Sequence, residues 1–188
     1  MNVANLTIGD PAIPFRLPGV DGREHGLDDY ADRPAVVVIF SCNHCPYVRA
    51  WEDRMVAIQA DYAARGVQFL VISSNDPEQY PEDSFDRMKE RAREKGYNFP
   101  YLYDATQEVA RAYGAQRTPE VFVFDRDRRL RYHGAIDDNY EDPKRVGRHY
   151  LREALDAVLE GRQPEVTETP PVGCTIKWRR EPASQAAR

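Results

Sequence analysis

Two cysteines separated by two residues, Cys42 and Cys45, are the side chains of this sequence best suited to chemistry. They directly follow the apolar run of residues 35–40 and directly precede a helical pattern, so a strand is expected to lead into a helix at the pair. A C-x-x-C pair in this setting is typical of thiol–disulfide exchange. A structural zinc site would need two further ligands at regular spacing, and the sequence has no second C-x-x-C and no H-x-x-x-H. The pattern therefore favours redox chemistry over metal binding.

The spacing of the pair predicts different roles for its two sulfurs. If the helix begins near Cys42, unpaired backbone N–H groups and the positive end of the helix dipole lower the pKa of that thiol, which we predict as the attacking sulfur. Residues three apart share a helical face, so Cys45 is the predicted resolving sulfur. His44 as an imidazolium would lower the thiol pKa further, and its alternative is a solvated loop histidine. A stabilised thiolate also makes the pair more oxidising.

Length and composition predict one domain and exclude several classes of partner. The chain has 188 residues, 41% of them hydrophobic, which suffices for one core. The formal charge is -5, and acidic residues alternate with basic ones in residues 86–91 and 125–129, so no phosphate-binding stripe is expected. No apolar run reaches the ~18 residues that cross a bilayer, and residues 1–7 lack signal-peptide features. We expect a cytoplasmic protein without nucleic-acid or membrane partners.

Apolar periodicity predicts an α/β fold whose elements surround the cysteine pair. A β-hairpin is expected around the turn dipeptide Asp21-Gly22. Strands are predicted at residues 35–40, 67–72, 101–103, 120–124 and 130–136, and helices at residues 48–62, 81–95, 107–113 and 143–160. The predicted domain covers residues 1–162, and a proline-rich tail of residues 163–188 is expected to dock up to about residue 178.

The order of these motifs resembles the thioredoxin superfamily: a strand, C-x-x-C, a crossover, then Thr-Pro-x-x-Phe-x-Phe-Asp and a hairpin. Residues 9–15, followed by Asp21-Gly22, resemble the N-terminal extension of peroxiredoxins and of TlpA/ResA-type thiol oxidoreductases. Residues 99–104, 134–139 and 173–178 are similar to bacterial peroxiredoxin-like thioredoxin-family proteins, so the resemblance covers roughly residues 8–178. It implies a thioredoxin fold with an N-terminal β-hairpin extension, a central mixed sheet flanked by helices, and an antioxidant or disulfide-exchange activity.

Thr118-Pro119 directly precedes the predicted strand of residues 120–124. A proline interrupts a strand ladder unless it stands at the start of the strand. Its position in a thioredoxin-like layout implies a cis peptide bond. We predict that Thr118 and Pro119 shape a docking groove, where the backbone of Thr118 pairs with an extended peptide or reacting partner.

Departures from the two related patterns leave alternatives open. Peroxiredoxins carry P-x-x-x-T-x-x-C, and here Val38 replaces the proline and Cys42 the threonine, although Cys45-Pro46 resembles their reactive Cys-Pro. A thiol-dependent peroxidase is therefore an alternative function.

Thioredoxins also bury an acid in the strand before the motif, where this chain has only valine and isoleucine. The proton acceptor of the second thiol is thus open among His44, Glu120 and water. Arg117 either supplies positive charge near the thiols or only solvates its loop.

Cys174 lies in a tail segment that is hydrophobic enough to dock. It is either a distant resolving thiol or an inert, buried one, since free cysteine commonly behaves as a small core hydrophobe. Residues 137–139 resemble an oxygen-rich cation site, but such a cluster after a strand is more typical of a turn and helix cap. His25, His133 and His149 have no partner spacing and are expected to be surface or core residues.

We predict a thiol–disulfide oxidoreductase without a cofactor, acting through Cys42 and Cys45 on disulfide-containing proteins or on small thiol or peroxide substrates, its reductant unknown. From another class comes a copper- or zinc-binding module, with both cysteines and a distant histidine such as His133 as ligands. A redox-inactive interaction domain is the third alternative.

Overall fold

The structure is a computed structural model that describes residues 6–180. Its strands are β1 (Arg16–Pro18), β2 (Glu24–Gly26), β3 (Ala35–Ser41), β4 (Val67–Ser73), β5 (Tyr101–Tyr103), β6 (Arg117–Thr118), β7 (Glu120–Phe124), β8 (Leu130–Gly134) and β9 (Cys174–Thr175). Its helices are α1 (Pro46–Ala63), α2 (Phe85–Lys95), α3 (Glu108–Tyr113) and α4 (Tyr150–Leu159).

A five-stranded mixed sheet of order β5-β4-β3-β7-β8 forms the centre of the molecule. The central strand β3 is buried along its whole length, as expected for an apolar, β-branched run covered on both faces. It pairs parallel with β4 and antiparallel with β7. The expected α/β fold with a central mixed sheet is confirmed, and so is the N-terminal hairpin, in which β1 and β2 pair antiparallel.

Helices cover the two faces of the sheet unequally. On one face, α1 and α4 bury Trp51, Met55 and Leu155 together with part of α2. The other face is covered by the short α3, the N-terminal segment and the tail, which contribute Tyr113 and Ile176. Because β3 ends and α1 begins at the same edge of the sheet, residues 42–45 lie at its carboxyl end.

Two predicted helices begin later than expected. The helix predicted from residue 81 begins at Phe85, because the Ser84 side chain accepts a hydrogen bond from the Arg87 N–H and caps it there. The preceding residues Pro81–Asp83 form a separate 3-10 turn.

The last helix was predicted from residue 143 but begins at Tyr150. Pro143–Arg145 is a 3-10 turn, and the chain then extends. The Asp138 carboxylate accepts hydrogen bonds from the backbone N–H groups of Gly147 and Arg148, which holds this segment outside the helix.

The tail returns along the sheet after α4. Its residues Thr167 and Thr169 exchange backbone hydrogen bonds with His133 of β8, and β9 then pairs antiparallel with β6. The division into a domain of residues 1–162 and a tail of residues 163–188 stays a prediction, and residues 1–5 and 181–188 lie outside the described part of the chain. Between residues 6 and 180, no helix has the length and apolar character needed to cross a membrane.

Candidate active site

The two cysteines of the motif lie in the connection from β3 to α1 and meet Thr118 at the end of β6. Cys42 and Cys45 are 0% and 1% exposed. The Cys42 Sγ atom lies 3.6 Å from the Thr118 hydroxyl oxygen, and the Cys45 thiol donates to the Thr118 carbonyl oxygen at 3.5 Å. The Thr118–Pro119 peptide bond is cis, as expected. Residues far apart in the chain are thus brought together, but both sulfurs are sealed from solvent.

The start of α1 differs from the expectation that the helix begins near Cys42. The first helical residue is Pro46, whose preset φ and missing N–H suit that position, and Cys45 is the extended residue before it. The free N–H groups of the first turn therefore lie beside Cys45 and not beside Cys42. The predicted effect of the helix on the pKa of Cys42 is wrong for this reason.

Hydrogen-bond donors surround Cys45. Hydrogen bonding from the Cys42 thiol lowers the pKa of Cys45, burial opposes this, and the Cys174 thiol together with the N–H groups of Val48 and Cys174 lowers it further, to about 4. The Cys45 thiol itself donates to the Thr118 carbonyl oxygen. The negative charge of the dithiol pair is therefore stabilised on Cys45.

Cys42 has the opposite surroundings. Its hydrogen bond to Cys45, its burial and the negative charge of Asp83 raise the pKa of this thiol well above its ordinary value. The Thr118 hydroxyl opposes the rise as the last and smallest cause. The structure thus reverses the predicted order of the two pKa values.

Asp83, which the sequence interpretation missed, is a fully buried carboxylate at this site. It accepts hydrogen bonds from the Asn43 N–H at 2.9 Å and from the Asn75 side-chain amide at 2.8 Å. The Nδ1 atom of His44 lies 2.5 Å from the Asp83 Oδ2 atom, without the geometry of a hydrogen bond. The carboxyl ends of the neighbouring parallel strands β3 and β4 meet at one edge of the sheet, so the loops that follow them lie together. The spacing of residues in the sequence did not mark Asp83.

His44 lies close to both the acid and the first sulfur. Its side chain is 25% exposed, and its ring stacks on Tyr80 with the centroids 5.7 Å apart. One ligand-type atom each of Cys42, His44 and Asp83 lies within 4.8 Å of the others. An imidazole and a carboxylate, both groups that can hold a proton, thus lie near the Cys42 sulfur.

Glu120, a second candidate proton acceptor, instead holds the loop before β7. Its Oε1 atom accepts from the N–H groups of Gln116 and Arg117, and its Oε2 atom lies 2.6 Å from the His133 Nε2. Burial disfavours the His133 cation, but the hydrogen bond and charge of Glu120 outweigh it and raise the pKa of His133. His133 is thus paired with Glu120, and its role as a third metal ligand stays a prediction.

The tail brings the third cysteine to the motif. In the β6–β9 pair, Cys174 stands opposite Thr118, and its side chain packs against the cluster of Cys42 and Cys45. Cys174 is partly buried; burial, then hydrogen bonding to Cys45, raises its pKa to about 11. Arg117 is exposed and donates to the Gly173 carbonyl oxygen at 3.1 Å, so it anchors the tail.

The remaining candidates have structural roles. Asp137 accepts hydrogen bonds from the Trp51 indole and from Arg54, and the Asn139 side chain accepts from backbone N–H groups of the following turn. The turn-and-cap interpretation of residues 137–139 therefore fits the structure. His25 lies 2.9 Å from Asp21, and His149 is the exposed residue before α4.

The chain is similar to proteins of known structure. An uncharacterized conserved protein from Geobacillus kaustophilus is 46% identical, covers 94% of this chain and 95% of its own, and superimposes with a TM-score of 0.89. A putative thiol:disulfide interchange protein DsbE from Chlorobium tepidum is 23% identical and shares the fold with a TM-score of 0.64, over 84% of this chain and 98% of its own.

Sequence comparison adds a named relative and a family. The thiol-disulfide oxidoreductase ResA from Geobacillus thermodenitrificans is 25% identical over 128 residues, which are 67% of this chain and 68% of that protein. The model of the AhpC/TSA family matches residues 8–133 and includes both motif cysteines. Because this match spans more than half of the chain, the protein belongs to the AhpC/TSA family and is an oxidoreductase with a thioredoxin fold.

Proposed function

We propose that this protein is a thiol–disulfide oxidoreductase whose Cys42 and Cys45 alternate between a dithiol and a disulfide. The observation that carries the proposal is the shared site: two buried sulfurs lie against Thr118, and their surroundings displace their pKa values in opposite directions. A pair with one thiolate and one protonated thiol can divide the two steps of exchange, because the thiolate attacks and the other sulfur then resolves the mixed disulfide.

In the proposed reduction of a partner disulfide, Cys45 is the attacking sulfur. Its thiolate forms a bond to one partner sulfur, and the partner's own disulfide bond breaks, so that the other partner sulfur leaves and takes a proton. Cys42 then loses its proton and attacks Cys45, which closes the Cys42–Cys45 disulfide and releases the second partner thiol. Two electrons pass from the protein to the partner, and oxidation of a dithiol runs through the same steps in reverse.

The second step needs a proton acceptor for Cys42, because its pKa is raised. We assign this role to His44, whose ring lies beside the buried Asp83 carboxylate and close to the Cys42 sulfur.

The low pKa of Cys45 also indicates the preferred direction of exchange. Stabilising its thiolate stabilises the dithiol form, and a sulfur of low pKa leaves a mixed disulfide readily. The pair is therefore expected to be more oxidising than a pair whose attacking sulfur has an ordinary pKa, with dithiol or disulfide proteins as partners. The physiological reductant and the predicted cytoplasmic location stay open to experiment.

Stoichiometric exchange tests the proposal. Reduced protein, freed of reductant, is mixed with insulin, and the thiols released are counted. We expect about one insulin disulfide reduced per chain, in keeping with one two-electron pair. The matched control Cys42→Ser/Cys45→Ser keeps Cys174 and should reduce essentially none. Equal reduction by wild type and control, or none by wild type, would contradict the proposal.

A peroxidase is the second candidate function, favoured by one observation: Cys45 combines a low pKa with a position directly before the helix-initiating Pro46. Its thiolate would take one oxygen from hydrogen peroxide to give a sulfenic acid and hydroxide, and Cys42 would condense with it to a disulfide and water. Consumption of peroxide in the presence of a dithiol, lost in Cys45→Ser, distinguishes this activity from exchange.

A further inference from the structure

Both motif cysteines are buried, so the proposed exchange needs a route from the pair to partner proteins at the surface. Cys42 and Cys45 are 0% and 1% exposed, whereas Cys174 is only partly buried. A protein disulfide meets either motif sulfur only after local movement exposes it, whereas Cys174 contacts the buried cluster and is itself partly exposed.

The tail is seated closely on the edge that carries Thr118. Cys174 stands opposite Thr118 in the β6–β9 pair, and the Ile176 N–H donates to the Gln116 carbonyl oxygen at 2.9 Å. A Cβ atom at Gly173 would lie 2.0 Å from the Thr118 carbonyl oxygen, so only glycine permits this approach. Cys174 packs against the cluster of Cys42 and Cys45 and helps to lower the pKa of Cys45.

We propose that Cys174 is a third exchange thiol, which carries the disulfide from the buried pair to partner proteins at the surface. This inference rests on the proposed function of the pair. It makes Cys174 a catalytic sulfur in the tail. The partners it implies are proteins with two neighbouring thiols.

The steps balance without a further oxidant. The Cys174 sulfur loses its proton and attacks Cys45 in the Cys42–Cys45 disulfide; the bond between those two sulfurs breaks, and Cys42 leaves and takes the proton. One thiol of a partner dithiol then attacks Cys174, and Cys45 leaves as a thiolate. The second partner thiol attacks the first partner sulfur, which closes the partner's disulfide and releases Cys174. The partner loses two electrons, and the pair gains them.

The state of Cys45 controls when Cys174 can attack. In the dithiol form, burial and then the neighbouring Cys45 raise the pKa of Cys174 to about 11, while Lys177 lowers it. In the disulfide form Cys45 carries no negative charge, so that contribution to the pKa of Cys174 is lost. Cys174 is therefore a better nucleophile when the pair is oxidised, which is when the step is needed.

Disulfide mapping of a Cys42→Ser variant tests the inference. The full-length variant is treated with diamide at low protein concentration, quenched in acid, alkylated and digested, and the bridges in the monomer are identified by mass spectrometry. We expect a Cys45–Cys174 bridge in more than about half of the monomers, because the two sulfurs are neighbours in the fold. A Cys174 that stays free or bridges only between chains would overturn the proposal.

Two matched controls test whether the Cys45–Cys174 bridge depends on the close packing of the tail and not on proximity alone. Cys42→Ser/Gly173→Ala keeps both thiols but places a methyl group against the Thr118 backbone, and its bridge should fall about tenfold. Cys42→Ser/Cys174→Ser/Thr175→Cys moves the thiol to the opposite side of β9 and should not bridge. Bridging in either control at the Cys42→Ser level would contradict the proposal. If wild-type protein forms the Cys42–Cys45 disulfide but the Cys42→Ser variant forms no bridge, this inference alone is refuted. If wild-type protein fails to reduce insulin, the proposed function is refuted.

Discussion

Cys42 and Cys45 are three residues apart and equally buried, yet the site treats them differently. On the α1 side, the Cys42 thiol first, and then the Cys174 thiol and the N–H groups of Val48 and Cys174, lower the pKa of Cys45. On the β4 side, Cys42 faces the Asp83 carboxylate, and the Thr118 hydroxyl opposes the resulting rise in pKa only weakly. Burial alone would raise the pKa of both, so the difference comes from the donors and the charge near each sulfur.

This contrast shows that the order of cysteines in a motif does not set their chemistry. A helix start favours a thiolate only at the sulfur that its free N–H groups face, and Pro46 moves that start to Cys45. The contrast also separates two chemical roles. The thiolate is favoured at Cys45, on the side covered by the tail, and the proton is held at Cys42, on the side of His44 and Asp83.

Removing each sulfur in turn should break the contrast most strongly. Cys45→Ser is expected to slow mixed-disulfide formation with a small aromatic disulfide at least about 100-fold, because a serine hydroxyl is not ionised at neutral pH. Cys42→Ser should stay within about threefold, since its hydroxyl can replace the donor to Cys45. Stopped-flow absorbance of single turnovers measures both. Retained reaction in Cys45→Ser, with loss in Cys42→Ser, would restore the order that the sequence predicted.

The pH dependence of alkylation should sharpen the contrast. With its pKa near 4, Cys45 is almost fully ionised throughout the range from about pH 5.5 to 8, so its rate should vary less than about twofold there. Cys42, with a raised pKa, should react about tenfold faster per pH unit over the same range. Iodoacetamide kinetics are measured in variants that keep one motif cysteine, Cys42→Ser/Cys174→Ser and Cys45→Ser/Cys174→Ser. Parallel profiles would show that the two sulfurs ionise alike.

Asp83→Asn should reduce the contrast from the Cys42 side. Losing the carboxylate lowers the pKa of Cys42 and speeds its alkylation at pH 8, while the pKa of Cys45 should change little. Broken hydrogen bonds to this buried group should lower the free energy of unfolding by about 1–3 kcal/mol, measured in urea. The exposed Asp86→Asn is the control and should change it by less than about 0.5 kcal/mol. Unaltered Cys42 alkylation in a folded Asp83→Asn protein contradicts the assigned role of the acid.

Thr118→Val should have the smallest effect, because it removes one weak contact. The lost hydroxyl faces Cys42, so the pKa of Cys42 should rise further, while the backbone contact of Thr118 with Cys45 remains. The change in unfolding free energy should stay near or below ~1 kcal/mol. The exposed Thr175→Val in the paired strand is the control, and equal shifts at both sulfurs would argue against the separate environments.

Much of the fold follows from local patterns in the sequence. The run that became β3 and the stripe around Trp51 and Met55 were predictable, because alternation and 3.6-residue periodicity depend only on neighbouring residues. The starts of the helices were harder to predict. The Ser84 side chain caps α2, and the Asp138 carboxylate accepts a hydrogen bond from the N–H of Arg148, ten residues away and just before α4. Such capping contacts depend on how the chain folds back on itself.

The candidate site divides in the same way. Cys42, Cys45 and Thr118 could be named from motif and position, and the structure brings all three together. Asp83 could not, because nothing in its spacing marks it until β4 and β3 pair and place its loop at the cysteines. Glu120 and His133, both candidates from the sequence, turned out to pair with each other.

By itself, the sequence determined that a buried strand leads into a dithiol and an amphipathic helix, since those features are encoded by residue type and short-range spacing. Only the tertiary structure decided which sulfur is stabilised as an anion and which thiol is accessible. Those properties depend on the Asp83 loop, the Thr118 edge and the Cys174 tail, which meet at the cysteines only when the sheet has formed. The physical reason is that a pKa and an exposed area are set by distances through space, which short-range sequence patterns do not specify.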